Sequence, residues 1–252
     1  MENKNKIKTV QNGIITMEYE INKKNNFIEI LGAEFVKNNI NNCKMIFDNK
    51  KQNINSKINI QNYKNNNKKS QTFQIKLEIN YITDMSWMFY CCTNLKKVDF
   101  SSIDTRNVRN MGWMFANCEN LEEVDLSMFN TQNVEILKEM FADCIGLTKV
   151  DLSTFDTKNV QDMEGLFCGC CKLKKADLSS FNTDNVKKLT QLFAYCDKLF
   201  KVDISSFDLR KEVNCKKMYR KCRSLEIVNV NRKAYNKTKK ELKRGSVCII
   251  EI

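Results

Sequence analysis

The sequence predicts an α/β repeat solenoid. Each coil pairs an inner strand with an outer helix, so stacking gives a parallel concave sheet and short convex helices between a β-rich N-terminal cap and an α/β C-terminal cap. Three observations predict this. A Met-Phe-type pair returns every 26 residues, at Met88-Phe89, Met114-Phe115, Met140-Phe141, Leu166-Phe167, Leu192-Phe193 and Met218-Tyr219. Three residues after each aromatic stands a cysteine, from Cys92 to Cys222, and three after that a leucine, from Leu95 to Leu225. Each leucine leads into a short β-rich segment such as Val124-Asp125-Leu126 or Val150-Asp151-Leu152. A fixed period of roughly 20 to 50 residues marks units that bury one another in a stack.

Residues 1–80 lack the repeat and read as a β-rich cap. Runs at 13–22 and 26–31, separated by Lys23, Lys24 and Asn25, suggest a hairpin; 43–47 and 72–79 read as two more strands, and 33–37 as a helical turn. The Asn/Lys-rich stretch 49–70 reads as a long loop. A cap is expected because an open solenoid end exposes an apolar section and unpaired strand edges; a separate ligand-binding domain is the alternative.

Residues 81–231 hold about six repeats. In the unit starting at Leu95, Val98 and Phe100 point inward while Lys97 and Asp99 point outward. Ile103 heads a column continued by Phe129, Phe155, Phe181 and Phe207, read as a phenylalanine spine stacked between coils. Val108, Met111, Met114, Phe115 and Cys118 step by three and four, one face of a short helix capped by Thr105 or Asn107. With the column of Phe115, Phe141, Phe167 and Phe193, these aromatics form the expected core. Residues 232–252 make a C-terminal cap, a helix over 234–243 ended by Gly245 and then a strand over 247–252 that could pair with the last repeat strand.

The repeat C-x-x-L-x-x-V-D-L-S-x-F-D/N-T-x-N-V-x-x-M-x-x-M-F, seen most cleanly over 118–141 and 144–167, resembles the BspA-type leucine-rich repeat, the surface protein repeat of bacterial lipoproteins that is abundant in some protists. The stretch 27–50 resembles, more weakly, the lead-in segment of protist members. The resemblance implies a leucine-rich-repeat solenoid used for adhesion or protein–protein interaction.

Net charge is +12, but it sits in the flanks: residues 1–80 carry 14 lysines against 7 acids, residues 81–231 carry 21 of each sign, and residues 232–252 carry 7 bases against 2 acids. The array is itself polarised, with 6 basic and 12 acidic residues over 81–157 and 15 against 9 over 158–231. Such a dipole can orient a partner. No apolar run follows Met1, which predicts a cytoplasmic protein without a secretory signal or transmembrane helix. In that compartment the cysteine column reads as buried thiols, a place where small apolar residues would serve equally.

No enzyme is predicted. The chain has no histidine and too few glycines for a phosphate loop. Cys91-Cys92 and Cys168-Gly169-Cys170-Cys171 lack paired C-x-x-C spacing, so neither metal nor cofactor is predicted. The outward column Asp99, Asp125, Asp151, Asp177, Asp203 and Asn229 could attract a divalent cation or a basic ligand; hydrogen bonding to the adjacent Ser101, Ser127, Ser153, Ser179 and Ser205 is the preferred reading. Partner contacts are expected from concave-face positions: Lys97, Asp99, Glu123, Asp125, Lys149, Asp151, Lys175, Asp177, Phe200, Lys201 and Asp203. A protein partner is expected. The alternative is nucleic acid or an acidic membrane on the basic flanks, through Lys64, Lys68, Lys69, Lys237, Lys239, Lys240, Lys243 and Arg244.

Overall fold

The structure, a computed structural model, describes residues 13–21, 24–63, 72–209, 212–242 and 247–252. The N-terminal part contains β1 (Gly13–Glu20), β2 (Phe27–Glu29), α1 (Ala33–Asn39), β3 (Cys43–Phe47), β4 (Lys50–Asn53), β5 (Lys57–Asn59) and β6 (Thr72–Ile79). In β6 strict alternation puts Phe73, Ile75, Leu77 and Ile79 in the core and leaves Gln74 and Lys76 outside. The hairpin expected from 13–22 and 26–31 does not form. β1 pairs antiparallel with β6, from Gly13 opposite Ile79 to Glu20 opposite Thr72, while β2 pairs with β5. Both β1 and β6 run eight residues and bury every second side chain, so they match each other; β2, three residues long, cannot cover β1.

The stretch 49–70 is not one loop. Asp48 and Asn49, both in the left-handed region with φ of 51° and 60°, close a two-residue hairpin that sets Phe47 opposite Lys50. Ile54, Ile58 and Ile60 then anchor the return to the core; residues 64–70 lie outside the described residues. The outer edge of β1 takes β7 (Leu95–Ser102), the strand of the first coil, so one antiparallel sheet of order β4-β3-β6-β1-β7 runs from the N-terminal part into the array.

The expected helices are absent from the described coils. The Met-Phe segment of each coil is a turn ribbon, and two positions per coil explain why: Trp87 and Cys91, Trp113 and Asn117, Glu139 and Asp143, Gly165 and Gly169, Gln191 and Tyr195, Lys217 and Lys221 all have positive φ, between 51° and 77°. An α-helix of L-residues cannot hold such a conformation. Alternate amides consequently point in different directions. In the third coil Leu137, Glu139, Phe141 and Asp143 donate to Asp162, Glu164, Leu166 and Cys168 of the next coil at 2.6–3.0 Å, while Met140, Ala142 and Cys144 donate three residues back within their own coil at 3.1–3.3 Å. Parallel bridges continue this ladder from Asp84 through Asn110, Ile136, Asp162 and Lys188 to Asn214. The apolar steps of three and four are the inward side of this ribbon.

Phe89, Phe115, Phe141, Phe167, Phe193 and Tyr219 stack one per coil, with centroids 5.5–6.0 Å apart and planes within 19°. This column, not the one expected, is the ring stack. Phe129, Phe155, Phe181 and Phe207 are buried, but the ring contact they make among the described residues is Phe129 edge-on to Phe100 of β7 at 4.9 Å.

Polar side chains pin coil to coil. Each ring-column carbonyl accepts the thiol of the next coil's cysteine: Cys118 to Phe89, Cys144 to Phe115, Cys170 to Phe141, Cys196 to Phe167 and Cys222 to Phe193, at 2.9–3.1 Å. Burial pushes the thiols of Cys118, Cys144, Cys170 and Cys196 up, Cys144 to about 12, which keeps the S–H donor in place at neutral pH. A small apolar residue would not serve equally. Nor does Thr105 cap a helix. The hydroxyls of the buried Thr105, Thr131 and Thr157 donate to the carbonyls of Asn130, Asp156 and Asn182 at 2.9–3.2 Å and accept the amides of those same residues at 2.8 Å. Asn133, Asn159 and Asn185 reach the opposite way, to carbonyls of Arg106, Gln132 and Lys158. The repeated D/N-T-x-N is thus a staple to both neighbours.

On the other side of the coils, β8 (Lys175–Asp177), β9 (Lys201–Ile204) and β10 (Ile227–Val230) form a parallel sheet. Helix α2 (Arg232–Leu242) buries Ala234, Thr238 and Leu242 and is capped by Asn231, whose Oδ1 accepts the Ala234 amide at 2.9 Å. It leads to β11 (Cys248–Glu251), parallel to β10. Strands were expected in every coil. The second and third coils alternate in burial at Leu121, Val124, Leu126 and at Leu147, Leu152 but carry no ladder there.

Candidate functional site

The strand face carries the side chains that differ from coil to coil. Lys97, Asp99, Glu123, Asp125, Lys149, Asp151, Lys175 and Asp177 are exposed, and Phe200, Lys201 and Asp203 half-buried. The structure brings several together: Lys149 pairs with Glu123 at 2.7 Å, and the Lys175 ammonium sits 5.4 Å from the Phe200 ring centre.

The aspartate column is occupied by turn formation. Asp99, Asp125, Asp151, Asp177 and Asp203 each accept the amide of the serine two residues on, at 2.8–3.0 Å. The amide of Ser101 holds Asp99 below the usual carboxylate range, the side chain and amide of Ser127 do so for Asp125, and the amide of Ser153 for Asp151. Repulsion from Asp125 works against this at Asp99 and Asp151 and loses. At Asp203 burial pushes up, but hydrogen bonds from Asn229 and Ser205 together bring the value down. Among the described residues no group of three His, Cys, Asp or Glu side chains could hold a metal ion. All twelve cysteines are free.

Between the second and third coils this face opens into a cavity of about 510 Å³, floored by Val124, Leu126 and Val150 and rimmed by Glu123, Asp125, Lys149 and Asp151. A smaller hollow of about 160 Å³ adjoins it between the first and second coils, where Met128 is 66% exposed. Sequence reasoning missed Met128 and the two hollows. The available signal was compositional: the equivalents of Met128 are Ser102, Thr154, Ser180 and Ser206. Of the basic-flank positions, Lys239 and Lys240 are exposed on α2 and Lys237 donates to the Val213 carbonyl; Lys64, Lys68, Lys69, Lys243 and Arg244 lie outside the described residues. Among the described residues no helix is long and apolar enough to cross a membrane.

A frame repeated every 26 residues, with variable residues on one face, defines a repeat protein. The chain belongs to the family described as "Mycoplasma protein of unknown function, DUF285", whose profile matches residues 63–149 and 137–245. No curated protein matches it. Among solved structures it is similar to the pneumococcal vaccine antigen PcpA, at 16% identity over 60% of this chain and 44% of that one with a TM-score of 0.32. It is also similar to a leucine-rich repeat protein from Bacteroides ovatus, at 13% identity over 69% and 65% with a TM-score of 0.21. The chain spans less than two thirds of the length of either.

Proposed function

We propose that the protein is a non-enzymatic protein–protein interaction scaffold, a leucine-rich-repeat-like solenoid of the BspA type whose strand face is the concave, partner-binding surface. One observation carries this: the ribbon, ring stack and staples keep the same residue types from coil to coil, while the outward strand positions change from Lys96-Lys97 to Glu122-Glu123, Thr148-Lys149, Lys174-Lys175 and Phe200-Lys201. A scaffold held constant under a changing surface suits recognition and offers no acid–base pair for catalysis. The N-terminal sheet and the α2–β11 unit act in this reading as caps for the two ends of the array. Affinity capture with the intact chain tests it. Phe200→Ala with Lys175→Glu should lose the captured protein while the melting temperature holds; undiminished capture would overturn the assignment. Binding to nucleic acid or an acidic membrane through the basic flanks is the second reading, favoured by Arg220 and Lys221 packed 5.5 and 5.2 Å from the Tyr195 ring near α2. It predicts steep loss of binding with salt. A surface adhesin role, as the family resemblance implies, is a third.

A further inference from the structure

We propose that the cavity between the second and third coils, with the adjoining hollow, docks an extended segment of a protein partner running along the stack, an arginine or lysine entering the cavity and an apolar side chain two residues away entering the hollow. The inference rests on the strand-face reading above and names its ligand. In the later coils the strand backbone is closed by pairing through β8, β9 and β10. Among the described residues, the strand segments of the second and third coils are joined by the Thr148 amide and hydroxyl, both donating to Glu122 O, and by the Lys149–Glu123 ion pair, and no backbone hydrogen bond joins 123–128 to 149–154. Among the described residues, the peptide groups of Val124 and Val150 there have no backbone partner.

The chemistry of the opening favours a cation on an apolar stem. Its floor is Val124, Leu126 and Val150, against which methylene groups can lie. Asp125 and Asp151 accept the serine amides at Oδ1, and among the described residues no hydrogen bond from outside these turns reaches either carboxylate, whereas Asp203 also accepts Asn229 at Oδ2, 2.7 Å away. Free carboxylate and carbonyl oxygens accept hydrogen bonds, and guanidinium or ammonium groups only donate. The surrounding stretch 81–157 holds 12 acidic and 6 basic residues, which complements a basic segment. An extended segment matches this arrangement. The cavity and the hollow share Asp125 in their linings, and alternate side chains of a strand are about 6.6–6.8 Å apart. One side chain in the cavity therefore puts the next on that side near the hollow beside Met128.

Fluorescence anisotropy of the full chain tests this with a short labelled peptide carrying arginine and leucine two residues apart and threonine elsewhere. The Asp125→Asn, Asp151→Asn double variant keeps the turn acceptor at both sites and should weaken binding roughly tenfold or more. Glu123→Gln, at an exposed rim position, serves if the double variant fails to fold. The Lys216→Ala variant, altered at an exposed position on the turn ribbon of the last coil, should bind the peptide as the parent does. No binding, equal binding by the Asn variant, or equal binding of a peptide with glutamate in place of arginine would overturn the proposal. If the peptide fails while Phe200→Ala, Lys175→Glu still loses the captured protein, the cavity assignment falls and the scaffold reading stands. If capture is also untouched, both fall.

Discussion

The turn ribbon and the strand face share one 26-residue period but differ in how completely they close. The ribbon is a continuous ladder from Asp84 to Asn214, whereas strand pairing is interrupted at the second and third coils. Ring spacing follows the same division: 5.5–5.7 Å where the strand side is open, 5.9 and 6.0 Å where β8, β9 and β10 pair. Stability is carried by the ribbon, the rings and the staples, and this leaves the strand side free to vary.

Substitutions should fall into two classes if that division holds. Phe141, stacked at 5.5 and 5.7 Å between Phe115 and Phe167, should be the most costly: Phe141→Ala is expected to lose about 3–5 kcal/mol in chemical denaturation. The exposed Asp151→Asn should stay within about 0.5 kcal/mol. Equal losses would dissolve the distinction between frame and face. Next comes the staple. Thr131→Val keeps the shape but strands the part-buried amide and carbonyl of Asp156, for an expected loss of about 1–3 kcal/mol, and Thr131→Ser should restore most of it.

Gly169 refines the picture of the ribbon. Five other coils place non-glycine residues at this position with positive φ, so its backbone is tolerated by L-residues; a Cβ here would instead meet the Asp143 carboxylate at 2.1 Å. Gly169→Ala should cost about 1–2 kcal/mol and far less in an Asp143→Ala background, measured as a double-mutant cycle. An unchanged cost would mean that conformation, not the contact, selects glycine.

How much of this was legible follows from which forces act locally. The period, the inward residues and the bounds of β6 follow from hydrophobic alternation, which the sequence displays directly. The ribbon was misread as helix because Met111, Met114, Phe115 and Cys118 step by three and four in both structures; only the left-handed Trp113 and Asn117 separate them, and neither residue type announces that conformation. Thr105 and Cys118 look like a cap and a filler until the next coil supplies their partners. The Asp48-Asn49 hairpin was legible in principle, since both residues tolerate positive φ, but the surrounding Asn/Lys composition masked it. The broken ladder was not legible, because Val124-Asp125-Leu126 and Val150-Asp151-Leu152 carry the same pattern as the paired segments.

The smallest effect separates the two regions by sign. On the face, hydrogen bonds lower the Asp151 pKa in the folded state, so its contribution is present above the unfolded value near 3.9 and is lost as pH falls through the folded value. On the ribbon, Asp143 keeps solvent contact but packs against Gly169, and partial burial raises its pKa. Its ionised form opposes folding at neutral pH, and that opposition disappears as pH falls through the raised value. Asp143→Asn should therefore stabilise slightly at pH 7 and lose its advantage as pH falls below the unfolded value near 3.9, whereas Asp151→Ala should destabilise slightly at pH 7 and do so less as pH falls through the lowered folded value. Denaturation midpoints followed downward from pH 7, with carboxyl titration followed by NMR, check both directions. Titration of both groups in the same direction would mean that Asp143 is as well solvated as the face and that the ribbon does not bury its second left-handed position.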